Sequence, residues 1–367
     1  MRTHSPENER IKRQYFAYLK EAKRYSEASL DMVAKSLDRF EVYTRHRDFK
    51  VYHIQQAVGF KRHLAEQDNV QTGERLSKAT LYSTLTALKN FFIWLAGQPG
   101  YRSRLSYADA EYFNLSEKES RIAKARREQR VPTLEQIGHV IDTMPAETLI
   151  QRRNRALVAF IILTGARDAA VASFKLKHVD LQDGHVLQDA REVKTKFSKT
   201  FTTWFFPVDE AIRQVVEDWV KELRTRELWS PDDPLFPATR VEVGESGQFE
   251  AVGLERKHWN SAGPIREVFK RAFTGAGLPY ANPHVFRKTL AQLGERLCQT
   301  PEEFKAWSQN LGHEGVLTTL TSYGEVAPTR QAQIIRDLAK PSTLPVQITD
   351  DMRRLVLNLA EKMAFPP

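Results

Sequence analysis

Cysteine is almost absent from this chain of 367 residues, in which Cys298 is the single example. One thiol excludes an internal disulfide framework and any zinc site built from several cysteines, and it favours a reducing compartment. Long apolar runs are also missing, since no stretch approaches the roughly 18 residues needed to cross a membrane. The N-terminus is polar and charged, without the apolar segment of a signal peptide. These absences predict a cytoplasmic protein with no membrane partner.

Motifs of cofactor-dependent enzymes are missing as well. The sequence has no GxxxxGK[ST] phosphate loop, no GxGxxG fingerprint after a strand, no GxSxG nucleophile elbow and no HExxH zinc pair. It also lacks a group of paired carboxylates with metal-ligand spacing. Nucleotide-driven or metal-dependent chemistry therefore has no support in the sequence, and we expect no cofactor and no metal.

Positive charge is what the chain has in excess. Lysine and arginine number 55 against 46 aspartate and glutamate, which gives a formal charge of +9, and the sequence pI is near 9.4. This balance favours a polyanionic partner such as nucleic acid. Apolar residues make up 41% of the chain, enough for well-packed cores, and the length suggests two domains.

The first predicted domain, residues 1–115, is helical. The segments "SEASLDMVAKSLDRFEVYT" and "SKATLYSTLTALKNFFIWLAG" place apolar residues three and four apart, and the second has Ser77 as N-cap and Gly97 as C-cap. Two more amphipathic pieces lie at roughly 7–23 and 53–67. We therefore predict a small bundle of four helices with basic outer faces. Its candidates for phosphate contacts are Lys61, Arg62, Lys78 and Lys89.

A charged segment follows at 116–131, where apolar periodicity is nearly absent. It is interpreted as an interdomain linker whose cations lie along a polyanion, with Arg126, Arg127 and Arg130 as candidates for DNA contacts. A new helix then begins, with Thr133 as N-cap and Gln136 as its capping-box partner.

The second predicted domain, residues 132–340, is mixed. "RNRALVAFIILTGA" is an apolar helix, and β-branched and aromatic residues between 178 and 208 predict an antiparallel sheet of about three strands. Helices return after Asp209. A short amphipathic helix in a tail at 341–367 is set apart by a proline-containing spacer, and it could fold back or dock on a partner. The predicted fold class is mainly α with a small antiparallel β-sheet (α+β).

Several polar residues of this second domain stand in suggestive contexts. An arginine follows the "LTG" turn, a His-x-x-Arg pair opens a helix at Pro283, a histidine closes "NLGH", three lysines cluster at a β-turn, and a tyrosine comes last. Each of them alone has an ordinary structural explanation, such as a surface ion pair or a helix cap. These residues are Arg167, His284, Arg287, His313, Lys194, Lys196, Lys199 and Tyr323.

Taken in order, the motifs "TGARDAAVASFKLKHVDL", "KTKFSKT", "HVFRKTLAQLG", "LGHEGVLTT" and "SYGEV" resemble the tyrosine recombinase, or phage integrase, family. The resemblance covers roughly 132–340 and extends more weakly to the N-terminal helices, which look like the SAM-like core-binding domain of these enzymes. It implies a site-specific recombinase, the integrase of a mobile element, that cleaves and rejoins DNA through a 3′-phosphotyrosine without metal or ATP.

The resemblance also implies residue roles. Arg167 and Arg287 would hold the phosphate oxygens, His284 would accept a proton, His313 would donate a hydrogen bond, and Tyr323 would be the nucleophile. The proton donor is a lysine of the β-turn, for which we choose Lys196 ahead of Lys199 and Lys194.

Two departures from the family pattern stand out. A carboxylate often found three residues after the first arginine is replaced by Ala170, which leaves open whether Asp168 takes its place. The tyrosine follows the histidine by ten residues instead of the more common nine, so Tyr280 is kept in view as a rival of Tyr323.

The implied partners are double-stranded DNA with a specific recombination site and three further copies of the chain, in a homo-tetramer. The expected location is the cytoplasm, with the nucleoid. A resolvase or type IB topoisomerase-like enzyme is the alternative within the same chemistry. A DNA-binding relative that has lost catalysis is the alternative outside it.

Overall fold

The computed structural model of the chain describes residues 4–69, 72–125, 130–244 and 247–313. The chain divides into two compact units, Met1–Arg127 and Glu128–Pro367. The finer boundaries predicted at 115, 131 and 340 stay predictions, and the predicted tail helix in 341–367 lies outside the described residues. Within those residues, no helix is both long enough and apolar enough to span a bilayer.

The first unit is helical, which confirms the predicted elements. Its helices are α1 Pro6–Ala17, continued by a π-helical turn at Tyr18–Ala22, α2 Glu27–Tyr43, α3 Ile54–Ala65, α4 Lys78–Ala96 and α5 Glu117–Lys124. The Ser26 and Ser77 hydroxyls accept from the backbone N–H groups of Ser29 and Thr80, so polar side chains satisfy the first turns of α2 and α4.

Aromatic rings form the centre of this unit. Phe40 is 1% exposed, and it meets Phe60, Phe92 and Phe113 edge to face with ring centroids 5.2, 5.6 and 5.5 Å away. Such pairs contribute about 0.5–1.5 kcal/mol beyond their buried area. Rings from α2, α3, α4 and the 3₁₀ turn at Tyr107–Phe113 therefore fix these elements to one another.

Helix α5 lies inside the segment interpreted as a linker. Ser116 caps it with a full capping box to Glu119, and Lys124 places its ammonium 5.0 Å from the ring centroid of Tyr82 on α4. Apolar periodicity missed this helix because its capping and its contact with α4 come from polar and charged side chains.

The second unit packs around one apolar helix. It contains α6 Leu134–Thr143, α7 Leu149–Thr164, α8 Asp168–Val171, α9 Glu210–Thr225, α10 Gly263–Gly275, α11 Pro283–Leu297 and α12 Pro301–Asn310. Residues 156–164 of α7 are all buried. Helices α9, α10 and α11 all contact α7, which is why its C-terminal half, from residue 156, is apolar nearly all round.

A three-stranded antiparallel sheet, as predicted, follows α8. Its strands are β1 Val179–Asp180, β2 His185–Gln188 and β3 Phe201–Trp204, in the order β1-β2-β3. Val186 pairs with Val179 on one side and Thr203 on the other, and all three are buried. The turn between β1 and β2 contains Gly184 at φ 69°, as its Asp-Gly sequence predicts.

A second hairpin was not predicted. Strands β4 Ala238–Val243 and β5 Phe249–Glu255 pair antiparallel, with a bulge between Arg240 and Val241. The hairpin lies between α9 and α10, a region to which the sequence analysis assigned no element. Val243 and Phe249 form a cross-strand pair yet are 65% and 81% exposed. Only the base of the hairpin packs against the core, through Ala238 and Leu254, so a search for buried faces does not find the two strands.

Candidate active site

Arg167 lies in the turn that joins α7 to α8. Helix α7 ends at a left-handed Gly165 with φ 60°, and two residues later Arg167 occupies the N-cap position of α8. Its guanidinium is half-buried, and it makes no hydrogen bond or ion pair with any described residue. Burial lowers the pKa of Arg167, but an arginine remains a cation at neutral pH. A half-buried cation without an acidic partner is suited to an anion from outside.

Helix α11 presents the His-x-x-Arg pair as predicted. It begins at Pro283, and His284 and Arg287 lie one turn apart on one face. The His284 side chain is exposed and has no hydrogen-bond partner among the described residues. Partial burial, and then the charges of Arg287 and Arg167, lower the pKa of His284. The imidazole is therefore held in its neutral form, which can accept a proton.

Arg287 is the most enclosed cation of the group, with 6% of its surface exposed. Its Nη1 donates to the carbonyl oxygen of Gly165, and its Nη2 donates to the carbonyl oxygen of Leu311. Nη2 also lies 3.0 Å from His313 Nε2. A buried charge is tolerated only with such hydrogen bonds. The end of α7 and the end of α12 are both joined to α11 through this one guanidinium.

His313 is positioned by the end of α12. The Asn310 side chain pairs with the backbone of Trp204 on β3, accepting from its N–H at 2.7 Å and donating to its carbonyl at 2.9 Å. Gly312 follows at φ 69°, and a Cβ there would meet the Phe201 ring at 2.6 Å. Burial, and then the charges of Arg287 and neighbouring cations, lower the pKa of His313 to about 4. Since arginine can only donate, Nε2 of a neutral His313 accepts the bond.

The three candidate lysines lie on the connection between β2 and β3, and their surroundings differ. The charge of Lys196 helps to lower the pKa of His313, whereas the charge of Lys194 acts on His258 instead. Lys196 begins a 3₁₀ turn and holds its ammonium 4.8 Å from the ring centroid of Phe197, a residue with φ 60°. Lys199 is half-buried just beyond that turn. The choice of Lys196 as proton donor stays a prediction, and this placement supports it.

Asp168 does not stand in for the missing carboxylate. Its Oδ2 accepts from Nε and Nη2 of Arg266 at 3.0 and 2.8 Å, and its Oδ1 accepts from the backbone N–H of Ala169. Arg266 on α10 was not singled out from the sequence, where nothing distinguishes it from other helical arginines. Tyr280, the rival nucleophile, lies within electrostatic reach of both members of this pair, and burial raises its pKa.

The main candidate nucleophile, Tyr323, lies outside the described residues. Arg126 and Arg127 of the predicted DNA-binding set lie outside them as well. The exposed Arg62 and Arg130 make no hydrogen bond or ion pair with a described residue. The remaining three cations of that set have acceptors nearby, namely Asn114 O for Lys61 at 3.0 Å, Glu119 for Lys78 at 3.9 Å and Glu111 for Lys89 at 3.0 Å.

One group of side chains in the described residues has donor atoms close enough to share a cation: Asp180, Asp183 and His185, at the β1–β2 turn. Asp180 and His185 are cross-strand partners. Asp180 Oδ1 already accepts from the backbone N–H groups of Gln182 and Asp183 at 2.9 Å. The Asp180 carboxylate therefore already has a role in the turn.

Sequence comparisons agree with this geometry. A family model described as the phage integrase family matches residues 121–330. The tyrosine recombinase XerC of Lactobacillus leichmannii is 24% identical over 251 residues, which are 68% of this chain and 72% of that protein. The tyrosine recombinase XerC of Stutzerimonas stutzeri (strain A1501) is 23% identical over 316 residues, which are 83% of this chain and 88% of that protein.

Solved structures share the fold. A lambda integrase dimer bound to a COC′ core site aligns with TM-score 0.59 at 14% identity, over 86% of this chain and 76% of that one. The Tn1549 transposon integrase with transposon right end DNA aligns with TM-score 0.54 at 12% identity, over 90% and 99%. XerH bound to palindromic difH aligns with TM-score 0.53 at 19% identity, over 88% and 83%.

Proposed function

Since the chain belongs to the phage integrase family and is a tyrosine recombinase that cleaves and rejoins DNA, we propose that Tyr323 is its nucleophile. Five side chains from four separate segments would bind and activate the phosphodiester that Tyr323 attacks. The observation that supports this site is the pKa of His313, which is lowered by burial and by electrostatic interaction with the four other members, beside a contact of 3.0 Å between His313 Nε2 and Arg287 Nη2. The five are Arg167, Lys196, His284, Arg287 and His313.

The proposed reaction conserves the energy of the bond that it breaks. The Tyr323 oxygen forms a bond to phosphorus while the bond from phosphorus to the 5′-oxygen breaks, which leaves a 3′-phosphotyrosine and a free 5′-hydroxyl. A 5′-hydroxyl of the same or another strand then attacks the phosphotyrosine and releases the tyrosine. The strand is rejoined without an external energy source.

Two proton transfers accompany this exchange. A tyrosine has a pKa near 10 in water, so its proton needs an acceptor in the transition state. His284 fits this role because its lowered pKa keeps a ring nitrogen free at neutral pH. The departing 5′-oxygen needs a proton, and Lys196 is the donor that fits. Proton transfers of this kind typically contribute about 10²–10⁴-fold in rate.

The two arginines would stabilise the negative charge that develops on the phosphate oxygens in the transition state. Planar guanidinium groups can hold two non-bridging oxygens through parallel hydrogen bonds. Arg167 has no acidic partner among the described residues, and the described hydrogen bonds of Arg287 go to carbonyl oxygens and to a neutral ring. The positive charge of Arg167 is thus left for the substrate, and the hydrogen bonds of Arg287 fix the position of its guanidinium. His313 donates a further hydrogen bond to the phosphate once the strand is bound.

We further propose that the substrate is double-stranded DNA with a specific recombination site, and that four copies of the chain assemble on two such sites. Names of structural neighbours support a mobile-element integrase, since one is a lambda integrase on a core site and another a transposon integrase on transposon end DNA. The proposed location is the cytoplasm, at the nucleoid. The named relatives are recombinases, and this does not favour the topoisomerase-like or the non-catalytic alternative.

A nicked duplex tests the nucleophile. A nick just beyond the cleavage point lets the short 5′-hydroxyl fragment diffuse away, so the covalent adduct accumulates on denaturing gels. With candidate sites from the DNA that flanks the gene, the wild-type chain is expected to form the adduct and Tyr323→Phe to form none. Tyr280→Phe is the matched control and is expected to retain adduct formation. An adduct in Tyr323→Phe, with loss in Tyr280→Phe, would transfer the role to Tyr280.

A further inference from the structure

A cleft of about 470 Å³ lies in the second unit, and the reaction above does not use it. Its walls come from three segments, at 172–175 after α8, at 191–194 between β2 and β3, and at 258–260 before α10. Two of these segments also carry the active site. Arg167 is the N-cap of α8, and Lys194 precedes Lys196 by two residues. The cleft is therefore connected to the active site through short stretches of chain.

Most of the charges in this cleft are already neutralised. Arg191 pairs with Asp189 at 2.6 Å. Lys175 lies 3.3 Å from Asp232, and Glu192 accepts from Lys177 and His178 at 2.9 Å each.

Lys194 is the exception. Its backbone N–H donates to Ser173 Oγ at 2.9 Å, which fixes where the side chain starts. Its exposed ammonium group has no acceptor among the described residues. Lys194 thus brings a positive charge to the cleft that no described acid balances.

His258 lies on another wall of the cleft, and positive charges around the cleft act on its ring. Its ring hydrogen-bonds the backbone of Ala172, and burial, followed by the charges of Lys175, Lys194 and His178, lowers its pKa. Its Nδ1 is buried and has no hydrogen-bond partner among the described residues. An anion between the two walls would offset these cations and favour a proton on His258. The cleft therefore has an uncompensated lysine on one side and an unsatisfied imidazole nitrogen on the other.

We propose that this cleft binds a phosphate group of the DNA backbone, next to the phosphate that is cleaved, through Lys194 and His258. The proposal rests on the function proposed above. Each DNA strand carries a phosphate roughly every 3.4 Å of helix axis, so a strand held by Arg167 and Arg287 brings further phosphates past the neighbouring walls. Lys194 then has a binding role that is distinct from the proton donor two residues later.

The salt dependence of DNA binding tests the role of Lys194. The probe is a fluorescent duplex oligonucleotide, titrated with the wild-type chain and with Lys194→Ala over a range of salt concentrations. Loss of one phosphate contact is expected to weaken binding and to reduce the slope of log affinity against log salt by about 0.9. The matched control is Lys221→Ala, an exposed lysine of α9 that pairs with Glu217 at 3.3 Å, and its slope is expected to equal that of the wild type.

An unchanged slope in Lys194→Ala would overturn the proposal while leaving DNA binding by the chain intact. Failure of the wild-type chain to bind any duplex would instead contradict the proposed function. An equal reduction in Lys221→Ala would show a general loss of positive charge, and it would likewise overturn the phosphate site. The two proposals therefore fail through different results.

The pH dependence of binding tests His258 separately. Because phosphate binding favours protonated His258, the affinity of the wild-type chain is expected to rise as the pH falls from about 8 to about 6. His258→Gln keeps a polar side chain and is expected to lose part of this rise. Full retention of the rise in a folded His258→Gln would remove His258 from the site. The charged groups that face it, and that must be intact in both proteins, are Lys175, Lys194, Arg191, Glu192 and His178.

Discussion

The two units hold their important cations in opposite ways. In the N-terminal unit, Lys89 pairs with Glu111 at 3.0 Å and Lys61 donates to the carbonyl of Asn114 at 3.0 Å, both near the surface. In the catalytic unit, Arg287 is buried against carbonyl oxygens, and Arg167 pairs with no described acid. Surface pairs contribute little and exchange partners easily. A cation without a described acid, such as Arg167, is instead suited to an anion that comes from outside.

The largest effect that this comparison predicts is for Arg287→Lys. The substitution keeps the charge but loses the planar fork that reaches two carbonyls and His313 at once. We expect adduct formation on the nicked duplex to slow by about 10²–10³-fold in single-turnover assays. Arg10→Lys, on an exposed arginine of the N-terminal unit, is the control and should keep the wild-type rate. Equal rates for all three proteins would remove the contrast between the units.

Lys196→Ala is expected to have a comparable or smaller effect on an ordinary substrate, because its role is to protonate the departing oxygen. A duplex with sulfur in place of the 5′-bridging oxygen separates this role from simple charge. A thiol has a pKa near 8.5, so the thiolate leaves without a proton and the cleavage rate of Lys196→Ala should recover. Arg287→Lys should remain slow on the same substrate. A failure of Lys196→Ala to recover would argue against Lys196 as the acid.

A smaller effect is predicted at two glycines that end long helices, one in each unit. Gly165 has φ 60°, and a Cβ there would lie 3.0 Å from Leu311 and 3.1 Å from Leu290. Gly165→Ala should lower the free energy of unfolding by about 1–2 kcal/mol and also slow adduct formation, because it shifts a carbonyl that holds Arg287. Gly97 has φ −82°, so Gly97→Ala should change stability by less than about 1 kcal/mol, towards greater stability. Denaturant unfolding of both variants checks this.

The smallest effect is predicted for Lys89→Ala. The exposed pair with Glu111 contributes roughly 0–1 kcal/mol to stability, and one lost phosphate contact would reduce the salt slope of DNA binding by at most about 0.9. Adduct formation at high DNA concentration should stay close to that of the wild type. A loss as large as that of Arg287→Lys would place Lys89 in the catalytic chemistry and contradict the division between the units.

The elements of this fold were predictable wherever local chemistry decided them. Ser77 and Thr133 cap their helices as their sequence context indicates, and α11 begins at Pro283 with His284 and Arg287 on one face. In strand β2 of the first sheet, the buried Val186 and Gln188 alternate with more exposed residues, which is a signal that a sequence displays. These features depend on residues a few positions apart.

Contacts between distant segments were not predictable in the same way. The pairing of Asp168 with Arg266 joins α8 to α10, and the bond of Asn310 to the backbone of Trp204 joins α12 to β3. Neither side chain stands in a recognisable local pattern. The order of motifs predicted the members of the site, and the structure adds that the charge of Lys196 acts on His313. The position of Tyr323 relative to these groups remains a prediction.

The two carbonyl groups that hold Arg287 belong to the main chain. Activity can therefore be lost through substitutions outside the motif residues. Substitution at Gly165 or Leu311 displaces an oxygen atom that every amino acid possesses, so the loss leaves no missing functional group behind. A duplicated copy released from selection can therefore keep all six motif residues and still be inactive. In surveys of related genomes, an intact set of the predicted motif residues is then not a sufficient mark of an active copy, and the residues at 165 and 311 need to be examined with them.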